Sequence, residues 1–252
     1  MTAEQLAVAR AHCDDYCTRT LGYSKSNILF VQGLIEKLEE AGIEAGAYNV
    51  CLSNCVLNLS PDKPAVLREV YRALSDGGEF YFSDIYSTSC LAPEVRLNPL
   101  LWGECLAGCL QVEEFEEYAR GAGFQHPRVL ALSPVEIYDA SLRDLVGGTR
   151  FFSITYRLFK LSSAEAAGSV AVCYTGTIPG LQAGYQLDVD TYFETGQPLR
   201  VDEGTAQVLS STWLKKHFEV TKRGAKHFDC SPSRRSVRDL LAASSSSPPC
   251  CC

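Results

Sequence analysis

The sequence predicts an α/β protein: part of a doubly wound sheet, then a small β-rich appendage and a disordered tail. Three observations carry this. Strand-like runs at Tyr48 to Ser53 and Glu79 to Asp84 bracket a helical stretch from about Lys63 to Leu74, opened by Pro61 and Asp62 and stopped by Asp76, Gly77 and Gly78. Strands alternating with helices of this length imply βαβ units and a parallel sheet covered on both faces. Beyond Lys160 the pattern changes to short alternating segments with glycine-rich turns, and from Ser231 the chain is serine-rich, with a proline pair and a terminal Cys250, Cys251 and Cys252. The expected division is 1–160 for an incomplete doubly wound domain, 161–230 for a small α+β domain and 231–252 for a disordered tail.

Element by element, Thr2 is placed to cap a helix over Ala3 to Leu21, with apolar residues at Leu6, Ala9, Cys13, Tyr16 and Cys17 in helical spacing. A short strand at Ile28 to Val31 and a helix from Gly33 through Leu38 and Ala41 to Gly42 follow. Tyr48 to Ser53 reads as a strand buried on both faces, with Asn54 to Leu59 as the loop at its carboxyl end. Leu100 to Leu110 and Val112 to Ala122 read as helices, the second acidic on its outer face at Glu113, Glu114, Glu116 and Glu117. Val129 to Leu132, Ser153 to Lys160, Ala171 to Gly176, Tyr185 to Phe193 and Leu199 to Val201 supply the remaining strands. An open α/β sheet binds its cofactor at the carboxyl ends of its first strands, yet this chain begins with a helix and contains neither GxGxxG nor GxGxG. The first strands are therefore expected to be missing.

Composition narrows the chemistry. A hydrophobic content of 46% in 252 residues is ample for a core, and no apolar run reaches membrane-spanning length. A formal net charge of -7 offers no basic face for nucleic acid or an anionic membrane. The first twenty positions lack a basic segment followed by an apolar one, so a soluble cytoplasmic protein is expected, and its 12 cysteines are expected as free thiols in a reducing compartment. No CxxC pair occurs, and histidines 12, 126, 217 and 227 form no zinc-finger ladder.

The segment SNCVLNLSPDKPAVLREVYRALSDGGEFYFSD, Ser53 to Asp84, is similar to the post-strand motif and following helix of S-adenosylmethionine-dependent methyltransferases. With cysteine after Asn54 it resembles the arsenite methyltransferases in particular. LLWGECLAGCL, Leu100 to Leu110, matches that family's helix bearing an arsenic-binding cysteine. VQGLIEKLEEAGI near the start, RFFSITYRLFK at 150–160 and the terminal cysteine cluster match as well. The resemblance is collinear up to about residue 205 and implies a Rossmann-like methyltransferase sheet.

It further implies that Cys55 and Cys105 hold trivalent arsenic as thiolates, consistent with the softness of that centre. Met1 and Gln5 fall beside the adenosine of S-adenosylmethionine, Ile35 and Glu36 at its adenine, and Asn54 and Val56 beside its methionine portion. A thiol reductant such as thioredoxin or glutathione would restore the cysteines. Met1 stands where the family's sequence continues one residue past its ribose-binding acid, so an N-terminally shortened form with weakened cofactor binding is expected. For a third sulfur, Cys51 and Cys109 remain open, Cys109 because four residues from Cys105 it would share a helical face. Tyr86, Trp102 and Glu104 are candidates for the substrate pocket. Cys13, Cys17, Cys90, Cys173 and Cys230 read as small hydrophobes. Two rival readings stand beside the enzyme: a catalytically dead soft-metal-binding fragment, and a methyltransferase for another small molecule.

Overall fold

The computed structural model describes residues 2–161, 170–221 and 234–244. Thr2 accepts from the Gln5 backbone while the Gln5 side chain accepts from the Thr2 backbone, a capping box that opens α1 (Ala3–Asp15). A π turn at Tyr16–Thr20 extends it, so the expected first helix is present with a widened last turn. The strand expected at Ile28 to Val31 is not formed, and the helix expected from Gly33 shrinks to a single 3-10 turn, Ile35–Lys37. A strand needs a neighbour for its ladder hydrogen bonds, and among the described residues none lies beside Ile28 to Val31.

The first βαβ unit forms, although its second strand starts at Leu74 rather than Glu79 and so takes in Asp76, Gly77 and Gly78. β1 (Tyr48–Asn54) leads through a 3-10 turn at Leu57–Leu59 into α2 (Lys63–Ala73), and β2 (Leu74–Ser87) returns parallel to β1. Asp62 caps α2 by accepting from the Ala65 backbone, and Val66, Leu67, Val70 and Ala73 bury its inner face. β1 itself is not buried on both faces: among the described residues it pairs only with β2, and Leu52 is 76% exposed. An edge strand keeps one flank open to water.

After a short α3 (Pro93–Arg96), the expected helix over Leu100 to Leu110 is cut to α4 (Pro99–Gly103), followed by a turn and β3 (Leu110–Gln111) against the end of β2. α5 (Val112–Ala122) buries Val112, Phe115 and Ala119 and ends on left-handed Gly123. β4 (Arg128–Val135), α6 (Ala140–Val146) and β5 (Phe151–Phe159) complete the main sheet in the order β1-β2-β5-β4. β5 runs antiparallel to both neighbours, so the sheet is mixed rather than parallel. An apolar run such as FFSITYRLF reads alike in either direction, which is why sequence pattern does not fix this.

The C-terminal part comprises β6 (Val170–Tyr174), β7 (Gly184–Asp188), β8 (Thr191–Glu194), β9 (Pro198–Val201), α7 (Glu203–Ser211) and β10 (Phe218–Thr221). β10, β6 and β9 form an antiparallel sheet, and β7 with β8 forms a hairpin where one strand, Tyr185 to Phe193, was expected. The tail expected to be disordered carries α8 (Val237–Ser244), whose Val237, Leu240 and Leu241 join the core of the main sheet. The serine-rich composition hides this amphipathic spacing. Cys230 and Cys250 to Cys252 lie outside the described residues. Among the described residues no helix is long and apolar enough to cross a membrane.

One buried network ties the C-terminal part to β2. Arg157 on β5 donates from Nε and Nη2 to both carboxylate oxygens of Glu79, at 2.5 and 3.0 Å, and from Nη1 to the Tyr185 hydroxyl at 2.7 Å. The Trp213 indole N–H donates to Glu79 at 3.1 Å. Removing one partner of such a buried pair leaves an uncompensated charge, so Arg157→Leu is expected to cost about 3–5 kcal/mol. Adding Glu79→Leu should recover most of that loss, as urea unfolding followed by tryptophan fluorescence would measure. A single variant as stable as the double would contradict this account.

Candidate active site

At the carboxyl edge of an open α/β sheet, loop residues from parallel strands converge. Here β1 and β2 end side by side, Asn54 opposite Ser83. Past Asn54 the chain turns at once, with Cys55 at φ 53° and its backbone N–H donating to the Ser83 carbonyl at 2.9 Å. Cys105, in the turn after α4, sits at φ 60°, its N–H donating to the Trp102 carbonyl at 3.1 Å. Among the described residues these two cysteines are the non-glycine residues with positive φ. The left-handed region costs a residue with a side chain about 1–3 kcal/mol, and such strain gathers at functional sites.

The two turns meet. The Cys105 thiol points to the Cys55 carbonyl at 3.6 Å, and the Cys55 thiol to the Asn54 side-chain oxygen at 3.8 Å. Cys55 is exposed and Cys105 half-buried. Beneath them lies Asp84, only 1% exposed, its carboxylate accepting from the backbones of Ile85 at 2.9 Å and Asn58 at 3.1 Å. Burial raises the Asp84 pKa, against the pull of those hydrogen bonds and of Lys63. Partial burial, and then the Asp84 carboxylate, push both thiols above their ordinary range; for Cys105 the neighbouring Cys55 and Glu104 add to the effect. Both cysteines are thus held as thiols near neutral pH.

The other residues singled out by the sequence distribute unevenly. Asn54 and Val56 flank Cys55 and are exposed. Glu36 accepts from the Ser60 hydroxyl, bringing the 3-10 turn against the loop that carries Cys55, and Ile35 is half-buried against the main core. Gln5 is exposed on α1 with its amide spent on the cap; Met1 lies outside the described residues. Cys51 is half-buried on β1, packed against the core. Cys109 is fully buried among Leu101, Leu106 and Phe151, with its thiol pushed up to about 12 by burial. It shares no helical face with Cys105, because α4 stops at Gly103. Tyr86 is core rather than pocket, packed on Phe115 and Tyr156, while Trp102 and Glu104 remain exposed near Cys105. Sequence reasoning missed Asn58, Asp84 and Gly108; Asp84, closing the strand of the quoted motif, was the visible signal.

Comparison with known proteins places the chain in a family. The family described as "Methyltransferase domain" matches residues 1–123, and "Arsenite methyltransferase C-terminal domain" matches 167–244. An arsenite methyltransferase from Aquipseudomonas alcaligenes is 44% identical over 90% of this chain, and that of Homo sapiens 39% identical over 90%. The crystal structure of an arsenic(III) S-adenosylmethionine methyltransferase from Chlamydomonas reinhardtii is 45% identical, with a TM-score of 0.83 over 91% of this chain and 77% of that one. The chain belongs to the arsenite methyltransferase family. It spans 66% of the length of the Aquipseudomonas protein and 60% of the human one.

The methyl donor that the family implies would find one wall of a site among the residues of this chain. The Asn54 amide and the exposed Val56 stand at the carboxyl end of β1, whereas Gln5 and Glu36 already commit polar atoms to Thr2 and Ser60. The electrostatics of the thiol pair give a direct test. Asp84→Asn removes a negative charge that raises both thiol pKa values, so iodoacetamide should alkylate Cys55 and Cys105 faster at pH 7.5. Cys109, protected by burial, should stay unreactive. Peptide mapping by mass spectrometry reads all three; unchanged rates at Cys55 and Cys105 would exclude Asp84 as their electrostatic control.

Proposed function

We propose that this chain serves S-adenosylmethionine-dependent methylation of trivalent arsenic, with Cys55 and Cys105 as the arsenic ligands. The observation that supports this above all is the meeting of two strained cysteine turns at the carboxyl edge of the sheet, one thiol 3.6 Å from the other residue's carbonyl. Trivalent arsenic is soft and pairs with sulfur. Each thiol forms an As–S bond as an arsenic hydroxide leaves, and the thiol proton goes out with that hydroxide as water. Thiols held protonated suit this exchange, since each must deliver a proton along with its sulfur. Two sulfur ligands leave the arsenic pyramidal with its lone pair free, and holding it at a fixed place is most of what the protein contributes.

When bound, S-adenosylmethionine supplies an electrophilic methyl group. Asn54 and Val56 would hold its methionine end, Ile35 and Glu36 its adenine, and Met1 and Gln5 its adenosine. Methylation at the lone pair takes arsenic from trivalent to pentavalent; the two electrons that return it would come from two cysteines closing as a disulfide, which a reductant of the thioredoxin or glutathione class would reopen to thiols.

The test is transfer of a labelled methyl group from S-adenosylmethionine to arsenite, separated by chromatography. Wild type is expected to yield methylated arsenic, and Cys55→Ser and Cys105→Ser each to fall to background. Arsenite retained through Cys55 without methyl transfer would make the chain a binding module. Transfer to another acceptor that survives Cys55→Ser would move the substrate away from the thiols.

A further inference from the structure

Asn58 lies three residues past Cys55 and is 1% exposed. Its side-chain amide donates to the Ile85 carbonyl at 2.7 Å and to the Cys105 carbonyl at 3.4 Å, while its backbone N–H donates to Asp84 at 3.1 Å. With two carbonyls before it, the amide must present nitrogen to them, and its oxygen is left without a partner. A buried acceptor without a partner is unfavourable, so packing alone does not account for this residue. On the far side of the contact, Gly108 closes the Cys105 turn against Asn58: a Cβ at Gly108 would fall 2.1 Å from the Asn58 carbonyl oxygen. One residue therefore spans the loop of the first thiol, the edge of β2 and the turn of the second.

We propose that Asn58 is the positioning residue that fixes the separation of the Cys55 and Cys105 turns for two-sulfur capture of a trivalent arsenical. The inference rests on the function proposed above. Asn58 touches neither sulfur; it acts through the carbonyl of Cys105, holding that turn in its left-handed conformation beside Cys55. Its loss should leave each thiol as reactive as before toward a reagent that needs one sulfur, and impair only ligands that need both at once.

Asn58→Leu keeps the side-chain shape and removes both donors. Equilibrium dialysis against arsenite, read as the component of binding lost in Cys55→Ser, should show affinity weakened by about 10- to 100-fold, the range typical for losing a group that orients a ligand. Iodoacetamide alkylation at Cys55 and Cys105 should keep wild-type rates, with Cys109 still protected. Wild-type arsenite affinity in Asn58→Leu would overturn the proposal while leaving the thiol site standing. Should Cys109 become reactive in that variant, Gly108→Ala decides instead: the same loss with Cys109 protected supports the proposal, and wild-type affinity overturns it. Absence of any Cys55-dependent arsenite binding in the wild type would sink the proposed function itself, and this inference with it.

Discussion

The candidate site depends on how the carboxyl end of β2 grips the loop that leaves β1. Three consecutive residues do this: the Ser83 carbonyl takes the Cys55 N–H, the Asp84 carboxylate takes the Asn58 N–H, and the Ile85 carbonyl takes the Asn58 amide. Such bonds contribute modestly when made but cost far more when a buried partner is orphaned. The loop is therefore fixed less by the strength of any one contact than by the penalty for releasing it. That fixity allows a cysteine to occupy a backbone region that glycine would fill more easily.

The electrostatics run opposite to those of a nucleophilic cysteine. Reactive cysteines lie near cations or helix N-termini, which lower the thiol pKa. Here partial burial and a buried carboxylate raise it for both residues. A thiol that must attack carbon would suffer from this arrangement. A thiol that exchanges for hydroxide on a soft centre does not, because the proton is needed to carry the hydroxide away. Asp84 is itself held between burial, which favours its neutral form, and two backbone donors with Lys63, which favour its charge. It thus serves as a structural anchor whose charge adds to the effect of burial on both thiols.

Much of this was legible in the sequence, and the failures have physical causes. α2 was readable because a capping residue and an apolar stripe agree over three turns, α5 because its acidic outer face sets off an apolar one, and the cores of β1 and β2 as apolar runs. Cys55 and Cys105 were picked out through the motifs around them. Their left-handed turns were not, because nothing in LLWGECLAGCL forbids a continuous helix; the helix ends where the Cys105 turn is held against Asn58. The direction of β5 escaped because an apolar strand has no polarity in its pattern, and α8 because serine and proline masked a spacing of three and four. In each case a tertiary contact decided what local preference left open.

The position of the C-terminal part relative to the thiols follows from the same strand. Its described contacts reach β2 at the opposite end: Gly77 lies against Ser211, and Glu79 takes a hydrogen bond from Trp213. From Glu79 to Asp84 is five residues of strand, about 16 Å at the usual rise. Those contacts lie too far from Cys55 and Cys105 to touch either thiol. One route for their influence runs through β2, by fixing its register against β5, the strand that carries Arg157. Loosening the Glu79–Arg157 pair would then reach the thiols as a shift in the strand that anchors them, with no residue at the site having changed.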